Sequence, residues 1–135
     1  MSHDDEWKRR WVIPEIEHGK LHPKYNFLVH YPEGLRLGKY VDISQFVYIQ
    51  AQDGVVIEDN VEIGPFCAIL SRSTIDGKSG LIKICEGVCI GAHSTIMPGV
   101  TIGKGSIIGA HSFVNRDIPQ HVLAYGVPCK VIRSL

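Results

Sequence analysis

The chain has 135 residues, of which 44% are hydrophobic and 21% are charged, values that fit one small globular domain. Lys plus Arg and Asp plus Glu both number 14, so no net charge points to a nucleic acid or an anionic membrane as partner. Residues 1–10 lack an apolar signal region, and no stretch approaches about 20 consecutive apolar residues. We therefore expect a cytoplasmic protein with no membrane partner, whose four cysteines stay reduced.

Residues 1–36 are predicted to form an N-terminal helix followed by an extended lead-in. Residues 4–11 predict one short helix, in which Trp7 and Trp11 lie four residues apart on the same face. A helix of this length is not stable alone, so it must pack against the rest of the chain or a neighbouring subunit. Three prolines between residues 12 and 34 interrupt any regular element, which favours an extended segment.

From residue 37 to residue 135 the chain is predicted to form one domain, most of it in blocks of six residues. Between Ile84 and Pro119 the blocks read ICEGVC, IGAHST, IMPGVT, IGKGSI, IGAHSF and VNRDIP, each opening with an aliphatic residue. This period is typical of a parallel β-helix, in which the opening aliphatic points into a thin core and the fifth residue must be small. Glycines at the second place are expected to relieve the corners: Gly91, Gly103 and Gly109. The spacing predicts an all-β fold of about four coils, which start near Leu37, Ile57, Ile84 and Ile102.

Two departures from the period predict loops on one side of the coil. Eight residues instead of six separate Ile49 from Ile57, and fifteen separate Ile69 from Ile84, so one long loop insertion is expected in the second gap. If three blocks make one turn, both gaps fall at the same corner. The same register predicts one vertical column of rings, formed by Phe46, Phe66, His93 and His111.

These blocks, followed by Asp117-Ile118-Pro119 and by the run GVPCKVIR at residues 126–133, resemble the hexapeptide-repeat acyltransferases. Within that family the pattern is most similar to the galactoside and maltose acetyltransferases and to acetyltransferases of surface-sugar biosynthesis. The resemblance implies a left-handed parallel β-helix and a homotrimer with its active sites in the clefts between subunits. It also implies acetyl-CoA as cosubstrate and a small-molecule sugar or nucleotide-sugar as acceptor. We expect no metal, because the histidines lack the spacing of a metal site.

The resemblance also implies where coenzyme A binds. In related enzymes the pantetheine arm contacts backbone groups just after the I-G of successive coils, positions that are Ala92 and Ala110 here. Cations near the C-terminal end suit the phosphates of the cofactor. The expected contacts at that end are Asn115, Arg116, Lys130 and Arg133.

The catalytic base departs from the family pattern. In the galactoside and maltose branch the base is a histidine in the loop between the second and third coils, but residues 70–83 contain no histidine. We take His93 as the first candidate, because it precedes the side that carries the loops and an imidazole suits proton abstraction near neutral pH. His111 and His30 stay open as alternatives. The expected acceptor contacts are Ser71, Arg72, Ser73 and Thr74.

The missing loop histidine favours N-acetylation of a nucleotide-linked amino sugar in surface polysaccharide biosynthesis, because an amine needs less help from a base than a hydroxyl does. Arg72 and Lys78 would then meet the phosphates of the sugar nucleotide. O-acetylation of a sugar hydroxyl is the alternative within the same class. Two further alternatives are a non-catalytic β-helix scaffold and a carbonic-anhydrase-like metal enzyme, for which the histidines near the coil are His93, His111 and His121.

Overall fold

The computed structural model, which describes residues 3–135, consists mainly of three sheets that form the walls of a prism. The chain visits the walls in the order A, B, C and then repeats. Sheet A contains β1 (Leu28–His30), β4 (Tyr48–Gln50), β7 (Ala68–Leu70), β10 (Thr95–Ile96) and β13 (Phe113–Val114). Sheet B contains β2 (Leu35–Leu37), β5 (Val55–Ile57), β8 (Ile82–Ile84) and β11 (Thr101–Ile102). Sheet C contains β3 (Asp42–Ile43), β6 (Glu62–Ile63), β9 (Cys89–Ile90), β12 (Ile107–Ile108), β14 (Val122–Gly126) and β15 (Cys129–Ser134).

The parallel β-helix has about five coils, one more than the repeat spacing predicts. The additional coil begins within the lead-in, where Val29 of β1 pairs in parallel register with Ile49 of β4. The β-helix therefore starts at Leu28, nine residues before the predicted start at residue 37. At the other end, a bridge between Ile102 and Ile118 carries sheet B into the last coil. The four predicted starting points do lie in one register on sheet B.

The core is a stack of aliphatic side chains, as the repeat predicts. The residues that open the blocks are between 0% and 3% exposed: Ile84, Ile90, Ile96, Ile102, Ile108 and Val114. Each aliphatic side chain buried in this way stabilises the fold by roughly 1.5–3 kcal/mol. The fifth places are also buried, and three of them hold serines whose hydroxyls bond to backbone groups: Ser94, Ser106 and Ser112.

The predicted column of rings is confirmed at the corner between sheets C and A. Phe46, Phe66, His93 and His111 all have φ angles between 58° and 63°. In this left-handed conformation the chain turns sharply, and the side chains point outward one above the other. Their ring centroids are 4.8–5.5 Å apart, close to the spacing of strands in a sheet. The column is therefore a direct product of the repeat register.

The glycines at the second place of a block have a different role from the predicted one. A Cβ atom added at Gly91 would lie 2.5 Å from the backbone nitrogen of Ala110, in the coil above. The positive φ angles that make the corners occur instead at the fourth place, for example at Gly87 and Gly105. Gly91 is thus needed because two coils approach closely there.

The N-terminal helix packs against the β-helix, as its short length requires. Helix α1 (Asp5–Arg10) is capped by Asp4, whose carboxylate accepts a hydrogen bond from the Trp7 N–H at 2.8 Å. Trp11, at its end, donates from Nε1 to the carbonyl of Val41 at 2.9 Å. Among the described residues, none of the helices has the length and apolar character needed to cross a membrane.

The lead-in covers the lower end of the prism. The Gly19 N–H donates to the carbonyl of Val29 at 2.8 Å, and the His22 N–H donates to the carbonyl of Phe27 at the same distance. These bonds are made to the first coil, whose lower edge would otherwise be open. At the upper end, β15 runs antiparallel to β14 and closes sheet C.

Candidate active site

Loops of three successive coils leave the β-helix at the corner between sheets A and B. The first coil has a 3-10 helix there (Pro32–Gly34), the second has residues 51–54, and the third has the long loop of residues 71–81. The long loop is stacked on the coil below, since the Ser71 N–H donates to the Gln50 carbonyl at 2.9 Å. The prediction that both insertions leave on one side is confirmed.

An ion pair fixes the long loop to the shorter loop below it. Arg72 Nε donates to Asp53 Oδ2 at 2.7 Å, and a terminal guanidinium nitrogen donates to Oδ1 at 2.9 Å, which is a bidentate geometry. The hydrogen bond from Arg72 lowers the pKa of the Asp53 carboxyl. Because the guanidinium already has a carboxylate partner, the pair offers both hydrogen-bond donors and acceptors with little net charge.

Two of the four residues predicted to contact the acceptor are buried. Ser71 is 0% exposed and Ser73 is 9% exposed. The Ser71 hydroxyl accepts a hydrogen bond from the Asp53 N–H at 3.0 Å and so holds the two loops together. This burial does not favour a direct contact of Ser71 or Ser73 with the acceptor, and the predicted contact stays a prediction. Arg72 is half-exposed and Thr74 is exposed.

A histidine of the first coil lies on the same wall as these loops. His30 ends β1, and its Nδ1 is 2.7 Å from the hydroxyl of Tyr48 on β4. Burial raises the pKa of the Tyr48 phenol and nearby Tyr31 adds to this, so the hydroxyl stays neutral while it orients the imidazole. The other ring nitrogen, Nε2, faces Gly19, where an added Cβ would be 3.2 Å away. His30 is therefore an oriented imidazole next to a residue without a side chain.

His30 is also in register with the start of the long loop. It pairs with Gln50, and Gln50 pairs with Leu70, the residue immediately before the loop. Two strand spacings of about 4.8 Å separate His30 from Leu70 along the sheet. The first-coil histidine thus borders the loop corner, a position that hexad counting from residue 37 did not reveal.

His93 lies at the other edge of the wall. Its exposed ring is stacked between Phe66 and His111, with 4.8 Å between the ring centroids on each side. Five residues of nearly extended chain, about 16 Å, separate Phe66 from the start of the long loop. Within one chain His93 therefore does not border the cleft at residues 71–74, contrary to the expectation from the sequence. It could meet such a loop only from a neighbouring subunit.

The three histidines considered for a carbonic-anhydrase-like site do not meet in one chain. His93 and His111 belong to the ring column between sheets C and A. His121 lies between sheets B and C, where its backbone N–H donates to the Lys104 carbonyl at 2.9 Å. The fold therefore gives this alternative no support within a single subunit.

The residues predicted to bind coenzyme A all lie in the upper coils, but at different corners. The Ala92 carbonyl accepts a hydrogen bond from the His111 N–H at 2.9 Å. Ala110 occupies the equivalent place in the top coil of that corner, and no backbone donor lies above its carbonyl within residues 3–135. That carbonyl is thus open to an amide of a ligand. The four residues predicted at the phosphate end are exposed, two after β13 and two on β15: Asn115, Arg116, Lys130 and Arg133.

Comparisons with known proteins give the same family as the repeat. The family model described as bacterial transferase hexapeptide (six repeats) matches residues 82–116. A proposed acetyltransferase of Saccharomyces cerevisiae is 37% identical over an alignment of 150 positions. The alignment covers 100% of this chain and 75% of that protein. The galactoside O-acetyltransferase of Escherichia coli K12 is 57% identical over 90 residues, covering 60% of this chain and 44% of that protein.

The chain matches less than a third of the length of several curated relatives. Proposed acetyltransferases of Staphylococcus aureus are 53% identical over 58 residues, which cover 43% of this chain but only 29% of each of those proteins. Among solved structures, a hexapeptide-repeat acetyltransferase of Vibrio cholerae in complex with acetyl coenzyme A superimposes with a TM-score of 0.78 and 31% identity. The match covers 82% of this chain and 65% of that one. The regular hexads, the left-handed β-helix and the full-length match together place this chain in the hexapeptide-repeat acetyltransferase family.

Proposed function

We propose that this protein transfers an acetyl group from acetyl-CoA to a hydroxyl group of a sugar, and that it does so in the cytoplasm as a homotrimer. The observation that carries the proposal is the match of 82% of this chain, with a TM-score of 0.78, to a solved structure in complex with acetyl coenzyme A. The galactoside O-acetyltransferase similarity supports a sugar hydroxyl as the acceptor. The open carbonyl of Ala110 and the exposed cations at the C-terminal end support the coenzyme A contacts named above.

His30 is the residue that we assign as the base. For this role Nδ1–H donates to the Tyr48 oxygen, which leaves the Nε2 lone pair free to accept a proton from the sugar hydroxyl. The deprotonated oxygen attacks the thioester carbonyl, the tetrahedral intermediate collapses, and the coenzyme A thiolate leaves and takes up a proton. The exposed His93 has no hydrogen-bonded orienting partner in the described chain, and its position in the ring column suits packing beside the pantetheine arm.

The acceptor would bind over the paired loops. The Arg72–Asp53 pair offers hydrogen-bond donors and acceptors side by side. This arrangement suits the hydroxyl groups of a neutral sugar better than it suits a phosphate. In a trimer the loop corner of one subunit would face the ring column of the next, and the thioester would lie between them. This arrangement would bring together the acceptor site, the pantetheine contacts at Ala92 and Ala110, and His93.

N-acetylation of a nucleotide-linked amino sugar for surface polysaccharide is the second candidate. One observation favours it: Lys78, at the tip of the long loop, is about 70% exposed in its side chain and makes only a 3.9 Å contact with Asp76. That cation is available for a nucleotide phosphate. Two observations weigh against it, because Arg72 already has its carboxylate partner and because His30 supplies the imidazole that the long loop lacks.

Steady-state assays of thiol release from acetyl-CoA test the proposal, with neutral glycosides, free amino sugars and nucleotide-linked amino sugars as acceptors. We expect turnover with hydroxyl acceptors. His30→Gln is expected to reduce kcat by about 10²–10⁴-fold with a small change in KM for the sugar, the effect of losing a general base. His93→Gln serves as the matched histidine variant and is expected to change mainly the KM for acetyl-CoA.

Three outcomes would contradict this assignment. Turnover with amino groups only would favour the second candidate. A larger loss of kcat in His93→Gln than in His30→Gln would indicate that His93, and not His30, is the general base. Failure to bind coenzyme A at millimolar concentration would favour a non-catalytic β-helix scaffold.

A further inference from the structure

A cluster of metal-ligating side chains lies on the outer face of sheet C, the wall opposite the loop corner. Asp42 on β3 and Glu62 on β6 are direct neighbours across the parallel ladder, and Cys89 on β9 follows in the same row. The imidazole of His3 lies over the first two, with Nε2 2.8 Å from Asp42 Oδ2 and 3.2 Å from Glu62 Oε1. The three ligand atoms are all within 4.8 Å of one another.

Hydrogen bonds from the His3 ring are not enough to stabilise the two adjacent carboxylates of Asp42 and Glu62. Two carboxylates opposite each other on adjacent strands repel, which destabilises the pair. Nε2 of an imidazole carries at most one hydrogen, so it can donate a full hydrogen bond to only one of them. A divalent cation would instead attract all three groups at once. In a tetrahedral zinc site with bonds of about 2.0–2.2 Å, ligand atoms are about 3.4 Å apart, so the His3–Asp42 distance of 2.8 Å would need to widen by about 0.6 Å and the His3–Glu62 distance of 3.2 Å by about 0.2 Å.

A fourth candidate ligand, Cys89, adjoins this group but is not one of the three side chains whose ligand atoms already lie within 4.8 Å of one another. The Cys89 thiol donates to the second oxygen of Glu62, with 3.6 Å between Sγ and Oε2. One nitrogen, two oxygens and one sulfur make a borderline-soft set, which suits zinc and disfavours magnesium and calcium.

We propose that His3, Asp42, Glu62 and Cys89 bind one Zn²⁺ ion, which fixes the N-terminal helix to sheet C. His3 immediately precedes Asp4, the cap of α1, and its ring stacks on Trp7 with 3.6 Å between the centroids. The ion would therefore join the start of the helix to three successive coils. It is a structural ion, additional to the site proposed for acetyl transfer, which uses no metal.

Titration calorimetry with zinc chloride tests the site on the full chain with no N-terminal tag. We expect one Zn²⁺ per chain, and we expect Asp42→Asn and Glu62→Gln each to weaken binding at least tenfold. Cobalt(II) should give a sulfur-to-metal charge-transfer band that is lost in Cys89→Ser. It should also quench the fluorescence of Trp7, because that ring stacks on a ligand. Cys85→Ser is the matched control, since Cys85 lies beside Glu58 but belongs to no group of three metal-ligating side chains within residues 3–135, and this variant should bind zinc as the wild type does.

The design separates a site built on the sheet from binding by the first residues alone. If His3→Ala abolishes zinc binding but Asp42→Asn and Glu62→Gln leave it unchanged, the residues around His3 bind the ion without the sheet and the proposal is overturned. Absence of stoichiometric zinc binding overturns it as well, and a cobalt complex without the sulfur band removes Cys89 from the ligand set. Circular dichroism spectra that match the wild type show that each variant still folds.

Discussion

The hydroxyl of Ser106 gives the sharpest test of how the last coil is held. Ser106 is 0% exposed and occupies a fifth place, directly above Val88 in the coil below. Its hydroxyl donates to the Pro119 carbonyl and accepts from the Val122 N–H at 3.1 Å. Replacement by valine would fill the same space with an apolar group, as in the coil below, but would leave both backbone groups without this partner.

The two effects have opposite signs, and their magnitudes decide between them. The additional apolar atoms of valine contribute roughly 1 kcal/mol of burial. A buried donor or acceptor left without a partner costs about 1–3 kcal/mol, so two of them cost about 2–6 kcal/mol. We therefore expect Ser106→Val to lower the free energy of unfolding by about 1–5 kcal/mol, although an argument from hydrophobicity alone predicts stabilisation.

Ser106→Thr is the matched control, because threonine and valine have the same shape and only threonine keeps the hydroxyl. Urea or thermal unfolding at equal protein concentration compares the two, and in a domain of this size 1 kcal/mol corresponds to roughly 4 °C in Tm. The threonine variant should be the more stable of the pair. Equal stability, or a more stable valine variant, would refute the reasoning.

The remaining predictions concern the corners and the loops. Phe66→Gly should be more stable than Phe66→Ala by about 1 kcal/mol, because both lose the ring stack but only glycine relieves the φ of 63°; equal unfolding free energies would contradict this. Gly91→Ala should lower the free energy of unfolding by about 2 kcal/mol or more, since its Cβ would meet the coil above. Gly77→Ala, which has no heavy atom within 4 Å of the added Cβ, should lower it by about 1 kcal/mol because of its positive φ. Similar melting temperatures of the two variants would count against the close approach at Gly91. Arg72 lowers the pKa of the Asp53 carboxyl in the folded protein. The ion pair therefore stabilises the fold fully above the ordinary carboxyl pKa near pH 4, and this stabilisation is lost as the pH falls through the lower pKa of Asp53 in the folded state. Unfolding of Asp53→Asn should accordingly depend less steeply on acid pH, and a slope equal to that of the wild type would be inconsistent with the ion pair.

The core and the ring column could be predicted from the sequence because both follow from one period. Each hexad fixes which residue points inward, so Ile84, Ile90 and Ile96 were assignable to the core before any contact was known. Counting in hexads also aligns Phe66 with His93 in the next coil, although the long loop insertion separates them in sequence. Loop residues outside the hexads do not disturb this register, since they leave the wall and return to it.

The first coil was missed because its sequence contains no hexad. A different spacing would have revealed it: Val29, Ile49 and Ile69 are 20 residues apart, since the early coils have 18 residues plus a two-residue loop. Counting in twenties from Ile49 towards the N-terminus leads to Val29, and next to it to His30. The pairing of His30 with Gln50 follows from that register, and Tyr48, two residues before Gln50 on the same strand, is the hydrogen-bond partner of the imidazole.

The loop contacts could not be predicted in the same way. Ser71 lies in a loop, and whether its hydroxyl faces outward or inward depends on where the coil below places Asp53. Both residues lie in loops outside the hexads, so their contact does not follow from the register of the walls. The ion pair of Arg72 with Asp53 could not be predicted either. A bidentate pair requires the two side chains to meet at a particular distance and angle, which sequence spacing alone does not specify.

The covered ends of the prism have a consequence for how the protein behaves at high concentration. Every rung of a parallel stack is a template for the next, so an uncapped coil could recruit another molecule end to end and grow into a fibre. The reversed strand β15 at one end and the hydrogen bonds from Gly19 and His22 at the other leave such growth without a matching edge. Removal of either cover should convert a discrete particle into a polymer.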